Sequence, residues 1–102
     1  MVEQILINLI RNSIQMWDGK KKMRISLSAR LSDHGRTRIQ VSDNGPGIEP
    51  EALDKIFVPF FTTKKEGSGI GLSLSRQIMR QHGGTMSAFS DPGRITTFTL
   101  RF

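Results

Sequence analysis

Apolar positions recur at helical spacing at the start of the chain, where Val2, Ile5, Leu6, Leu9 and Ile10 fall on one side of a helix running from about Val2 to Met16. Asn8 and Asn12 stand four apart and share a face of that helix. Trp17-Asp18-Gly19 stops it, and the period shortens: residues 24–31 alternate apolar and polar as a half-buried strand, with Ile25, Leu27, Ala29 and Leu31 on one side. Asp33-His34-Gly35 predicts a hairpin turn into a second strand, 37–42, whose Ile39 and Val41 face the core. A loop rich in Gly and Pro begins at Asp43 and carries a short helical turn at about 50–55. A longer loop, 57–68, leads into a helix from about Ile70 to His82, closed by Gly83-Gly84. Two last strands, 85–90 and 95–102, are joined by Asp91-Pro92-Gly93, a strong turn signal. No repeat or linker breaks this order. The expected product is one α/β domain over 1–102, a two-layer sandwich in which helices cover one face of a largely antiparallel mixed sheet.

Composition narrows the function classes. The 102 residues suffice for one modest core. The absence of cysteine excludes a disulfide scaffold and a thiolate metal site, and suits a reducing compartment. No apolar run is long enough to span a bilayer and no cleavable signal pattern is present, so a cytoplasmic domain without membrane contact is expected, whether or not a larger parent protein is membrane-anchored. The net charge of +6 favours anionic partners. Lys20, Lys21, Lys22, Arg24, Arg30, Arg36 and Arg38 cluster in and before the first hairpin, but they alternate with apolar residues as a solvated sheet face does. No aromatic residues interleave them, and a nucleic-acid surface is not expected.

The candidate chemistry lies in four segments: N-L-I-R-N-S in the first helix, S-D-N-G-P-G-I at 42–48, F-V-P-F-F-T-T-K-K at 57–65 and G-S-G-I-G-L at 67–72. The Asn12 amide oxygen suits one position of an octahedral Mg²⁺ shell otherwise filled by phosphate oxygens and water, with Asn8 one turn earlier able to hold a water or a second ligand. A polar residue on the apolar side of a helix is more often a satisfied core amide, which accounts for Asn12 as well. Asp43 ends a strand and is followed by Gly45 and Gly47, so a planar base could approach the backbone while the carboxylate accepts an exocyclic amine; that favours adenine over guanine. A plain Asp-Asn-Gly turn accounts for the same residues. Gly67, Ser68, Gly69, Ile70 and Gly71 precede or open the third helical segment, where free N–H groups and the positive end of the dipole attract anionic oxygens. Lys64 and Lys65 can close over phosphates as point charges, and Phe57, Phe60 and Phe61 anchor the loop to the core. With no apolar residue in 62–68, ordering of that loop is expected to depend on phosphate contacts. Neither a Walker loop nor a dinucleotide fingerprint is present.

Together these segments resemble the catalytic, ATP-binding domain of bacterial sensor histidine kinases, in the superfamily shared with DNA gyrase, ninety-kilodalton heat-shock chaperones and mismatch-repair ATPases. E-Q-I-L-I-N-L-I-R-N-S is similar to its Asn box, S-D-N-G-P-G-I to its first glycine box, F-V-P-F-F-T-T-K to its phenylalanine box and G-S-G-I-G-L to its second glycine box. The phenylalanine box looks most like that of the nitrogen-regulation and oxygen-sensing subgroup. The resemblance implies a Bergerat-type ATP-binding fold that takes ATP with Mg²⁺. Asn12 would be the metal ligand and Asn8 its neighbour in the box, the part of the chain nearest to a catalytic assignment. Asp43 would accept the adenine amine, with Gly45, Gly47 and Ile48 beside it, and Thr96 would reach the base through water. Gly67, Ser68, Gly69, Ile70, Gly71 and Leu72, with Lys64 and Lys65, would form the phosphate side. The implied function is donation of the γ-phosphoryl group to a histidine on a separate dimerisation domain, with a response regulator downstream, in a two-component signalling system.

The chain departs from the family pattern in places. Ser13 stands where the family usually has Ala, a mild change in size, and Ile95 stands where Gly usually precedes the Thr of the last strand. The chain begins directly on the Asn box, without the strand and helix that normally precede it, so part of the family's hydrophobic cover is expected to be absent, as in an N-terminally truncated domain. His34, in a turn, and His82, at a helix end, do not resemble a phosphoacceptor. The alternatives are a gyrase- or chaperone-type ATPase, which needs a Glu where Asn8 stands, and a non-catalytic interaction module that no longer takes nucleotide.

Overall fold

A computed structural model describes residues 2–20, 22–32, 34–58 and 71–102. The chain runs α1 (Val2–Met16), β1 (Ile25–Leu31), β2 (Thr37–Asp43), α2 (Pro50–Leu53), α3 (Gly71–Gln81), β3 (Thr85–Asp91) and β4 (Ile95–Arg101). The strands form one sheet in the order β1-β2-β4-β3, antiparallel at every pairing. This is the expected two-layer α/β arrangement with helices on one face.

Register decides what faces the helices. Val41 pairs with Leu27 on one side and Phe98 on the other, Phe98 with Ala88, and Leu100 with Ile39 and Met86. These residues share a face because side chains alternate along a strand. Onto it α1 brings Ile5 and Leu9 and α3 brings Met79, closing a buried core of Ile5, Leu9, Val41, Ile56, Met79, Met86, Phe98 and Leu100. The opposite face is mostly polar, although the exposed Phe89 lies on it, with Ser42 hydrogen-bonded to Thr97 at 2.9 Å and Gln40 donating to Thr99 at 3.3 Å.

The strand predicted as half-buried at 24–31 departs from its expectation. Only Ile25 in β1 is partly covered, while Leu27 and Leu31 are 56% and 74% exposed although they point to the helix side. Among the described residues α1 packs on β2, and α2 and α3 on β3, so the helical layer stops short of this edge. Alternation reports which residues share a face, not whether anything covers it.

Turns hold the ends. α3 closes as the glycine pair predicts: Gly83 has φ +75° and its N–H bonds Arg80 O at 3.1 Å, while Gly84 N–H bonds Met79 O at 2.8 Å, the two linkages of a Schellman cap. His82 sits in this cap and its Nδ1 donates to Ile78 O at 2.9 Å. Pro92 and Gly93 take the central positions of the β3–β4 turn, with Gly93 at φ +83° and Arg94 N–H bonding Asp91 O at 2.9 Å.

Candidate functional site

The first glycine box is built from β2 outward. Asp43 is the last residue of β2, opposite Thr96 of β4. Its Oδ1 accepts the Gly45 N–H at 2.9 Å, the Asx turn that an Asp-Asn-Gly sequence favours. A Cβ on Gly45 would lie 3.0 Å from that same oxygen, so a side chain here would require the carboxylate to shift. Asp43 Oδ2 accepts the Ser13 hydroxyl of α1 at 2.8 Å. One carboxylate therefore joins the Asn box helix to the first glycine box, and both oxygens keep lone-pair capacity for a further donor.

Gly47 is required for a different reason. It has φ +89°, and a Cβ there would lie 2.7 Å from Pro92 Cα and 3.0 Å from Ser90 Oγ. The loop thus lies flat against the β3–β4 turn, pinned by Gly93 N–H to Pro46 O at 3.0 Å and by Ile48 N–H to Ser90 Oγ at 2.9 Å. Ser90 Oγ is also 2.9 Å from Thr96 Oγ1, so the buried Thr96 hydroxyl is tied into the same network as the loop. Ile48 and Leu72 are partly buried and pack against the core.

Asn44 was not singled out from sequence. Its Oδ1 accepts Arg24 N–H at 2.7 Å and its Nδ2 donates to Lys22 O at 2.8 Å, so the side chain acts as an extra rung beyond the β1–β2 ladder and fixes the strand end that carries Asp43. Sequence pattern could not find this, because the partners are backbone groups on a distant segment.

Asn8 and Asn12 are both half-buried on α1. The Asn8 amide lies 3.4 Å from the buried Ser75 Oγ, which turns this side of α1 toward α3, one turn beyond its first residue, Gly71. Asn12 follows one turn later, next to the Ser13 that reaches Asp43. These contacts bring Asp43, Gly45, Gly47, Ile48 and Thr96 together where the end of β2 meets the β3–β4 turn, with Ser13 of α1 reaching Asp43; Asn8 faces Ser75 of α3, which Gly71 opens. Lys64, Lys65, Gly67, Ser68, Gly69 and Ile70, with Phe60 and Phe61, lie outside the described residues. Phe57 is partly buried against the core as expected, and Arg76 stacks over its ring at 4.5 Å.

Among the described residues there is no cluster of three His, Cys, Asp or Glu able to hold a metal ion. A single amide oxygen fits an ion whose remaining ligands come from phosphate and water, and does not fit an all-protein metal cage. No helix among the described residues is long and apolar enough to cross a membrane.

With this geometry in place, the chain belongs to the histidine kinase-, DNA gyrase B- and HSP90-like ATPase family, whose model matches residues 1–102. It is 46% identical over 97 residues to the sensor histidine kinase ZraS of Escherichia coli (strain K12), covering 95% of this chain and 20% of that protein. The chain thus spans about a fifth of that relative's length. Among solved structures it is similar to full-length ShkA in complex with AMPPNP, with a TM-score of 0.86 and 30% identity over 98% of this chain and 20% of that one. It is likewise similar to the catalytic domain of the histidine kinase ThkA, with a TM-score of 0.80 and 33% identity over 99% of this chain and 64% of that one. Within the family, the resemblance is to the ATP-binding catalytic domains of histidine kinases.

Proposed function

We propose that the chain binds ATP with Mg²⁺ and presents the γ-phosphoryl group to a histidine on a separate dimerisation domain, as the catalytic part of a two-component sensor kinase acting on a response regulator. The observation that carries this reading is Asp43: a carboxylate at a strand end, held by the Ser13 hydroxyl and the Gly45 N–H, with acceptor capacity left for an adenine amine. Asn12 would hold the metal from α1, with Asn8 beside it. The ion would supply charge neutralisation across the phosphates. Lys64, Lys65 and the glycines from Gly67 to Gly71 would supply N–H groups and positive charge on the phosphate side. The remaining work is orientation, since phosphoryl transfer asks for positioning and electrostatics more than covalent chemistry. Asn8, an amide, cannot take a proton from water, which favours transfer over hydrolysis. ShkA in its complex with AMPPNP, an ATP analogue, supports nucleotide as the ligand class.

The test is incubation with γ-labelled ATP. The chain alone is expected to hydrolyse little and to carry no acid-labile label, while addition of the acceptor-histidine domain of its parent polypeptide yields label on that domain. Label on this chain that disappears in His82→Ala would contradict the reading.

A further inference from the structure

The Ser13 side chain is almost wholly buried, and its hydroxyl has one proton with two acceptors in reach: Leu9 O at 3.2 Å and Asp43 Oδ2 at 2.8 Å. The carboxylate is the nearer and the stronger acceptor, so the proton points to Asp43. The other oxygen, Oδ1, accepts the Gly45 N–H at 2.9 Å. An aspartate carboxyl ordinarily turns in a broad torsional well about its Cβ–Cγ bond. Two donors on opposite oxygens, one from α1 and one from the loop after β2, fix that torsion.

We infer that Ser13 is a positioning residue for purine recognition: by donating to Oδ2 it holds the Asp43 carboxylate in the plane in which its remaining lone pairs meet an exocyclic amine. The inference rests on the reading of Asp43 as the base acceptor. Without the hydroxyl, Asp43 keeps only the Gly45 N–H, and binding a base must include ordering the carboxylate each time, a cost that appears as lost affinity. That loss falls only on ligands that use the amine.

The test compares two ligands on the 102-residue chain, ATP and the triphosphate of unsubstituted purine riboside, which lacks the amine. Ser13→Ala is expected to weaken ATP roughly three- to tenfold while moving the analogue by less than about twofold, so that the preference for ATP contracts. Ser13→Cys is slightly larger and supplies a weaker donor; it should contract the preference too, so the result does not depend on one variant folding. Added to Asp43→Asn, Ser13→Ala should leave the ratio of the two affinities where Asp43→Asn put it. A merely structural Ser13 would weaken both ligands alike and would do so in the Asp43→Asn background as well. An unchanged ratio in Ser13→Ala and Ser13→Cys, with wild type still preferring ATP, overturns the inference and leaves the reading of Asp43 intact. A wild type that binds both ligands equally overturns that reading, and the role of Ser13 with it.

Discussion

Asp43→Asn is expected to lower ATP affinity by about 1.5–3 kcal/mol, roughly ten- to a hundredfold, while leaving the fold in place. The local geometry explains why the two effects separate. The new amide oxygen can still accept the Gly45 N–H, and the amide NH₂ then faces Ser13, whose oxygen can accept. The Ser13 hydroxyl proton turns to the second acceptor already in reach, Leu9 O at 3.2 Å. No buried polar group is stranded, so thermal stability should change little. The pocket pays in function: a donor now stands where an acceptor was, and it opposes the donor on an adenine ring. The same swap should improve binding of a 6-oxo purine such as GTP relative to ATP. Calorimetric titration of both nucleotides into wild type and variant checks this, and retained ATP preference in Asp43→Asn would remove Asp43 from base recognition.

The largest effect on stability among the site residues is expected at Gly47. Its φ of +89° disfavours any L side chain, and the Cβ of Gly47→Ala would lie 2.7 Å from Pro92 Cα, a backbone atom that cannot swing aside. Strain and overpacking together should cost about 2–4 kcal/mol. For a chain of this size that lowers Tm by more than about 8 °C. Gly93→Ala is the control, because Gly93 has a similar φ of +83° with nothing within 4 Å of the added carbon. It should lose only the conformational part, about 1–2 kcal/mol. Equal losses at the two positions would show that the loop is not packed against the β3–β4 turn as described.

The elements were legible in the sequence because the hydrophobic period changes cleanly from helical in α1 to alternating in the strands, and because glycine pairs and Pro-Gly mark the turns. The Schellman cap at Gly83-Gly84 and the turn at Pro92-Gly93 follow from residue types whose backbone preferences few others share. Coverage was not legible. Leu27 and Leu31 alternate like core residues, yet among the described residues the helices pack on β2 and β3, and both leucines are exposed. The candidate site was legible as residue types, but not in its wiring. Ser13 read as a small change of size and is instead a direct partner of Asp43, thirty positions away in the chain. Asn44 read as part of a turn and is a rung of the sheet. Gly47 read as room for a base, and the structure adds that its side-chain position is filled by Pro92 and Ser90. Each of these contacts joins segments distant in sequence, which spacing within one motif cannot encode.

Calorimetric titration of the wild-type chain with ATP, with and without Mg²⁺, and with GTP bears most directly on the central claim that this is an adenine-nucleotide site served by a single metal-binding amide. The account predicts saturable ATP binding that is strengthened by Mg²⁺ and weakened by Asn12→Ala only when Mg²⁺ is present, with GTP at least about tenfold weaker. ATP binding that is absent, or equal to GTP binding, would contradict it.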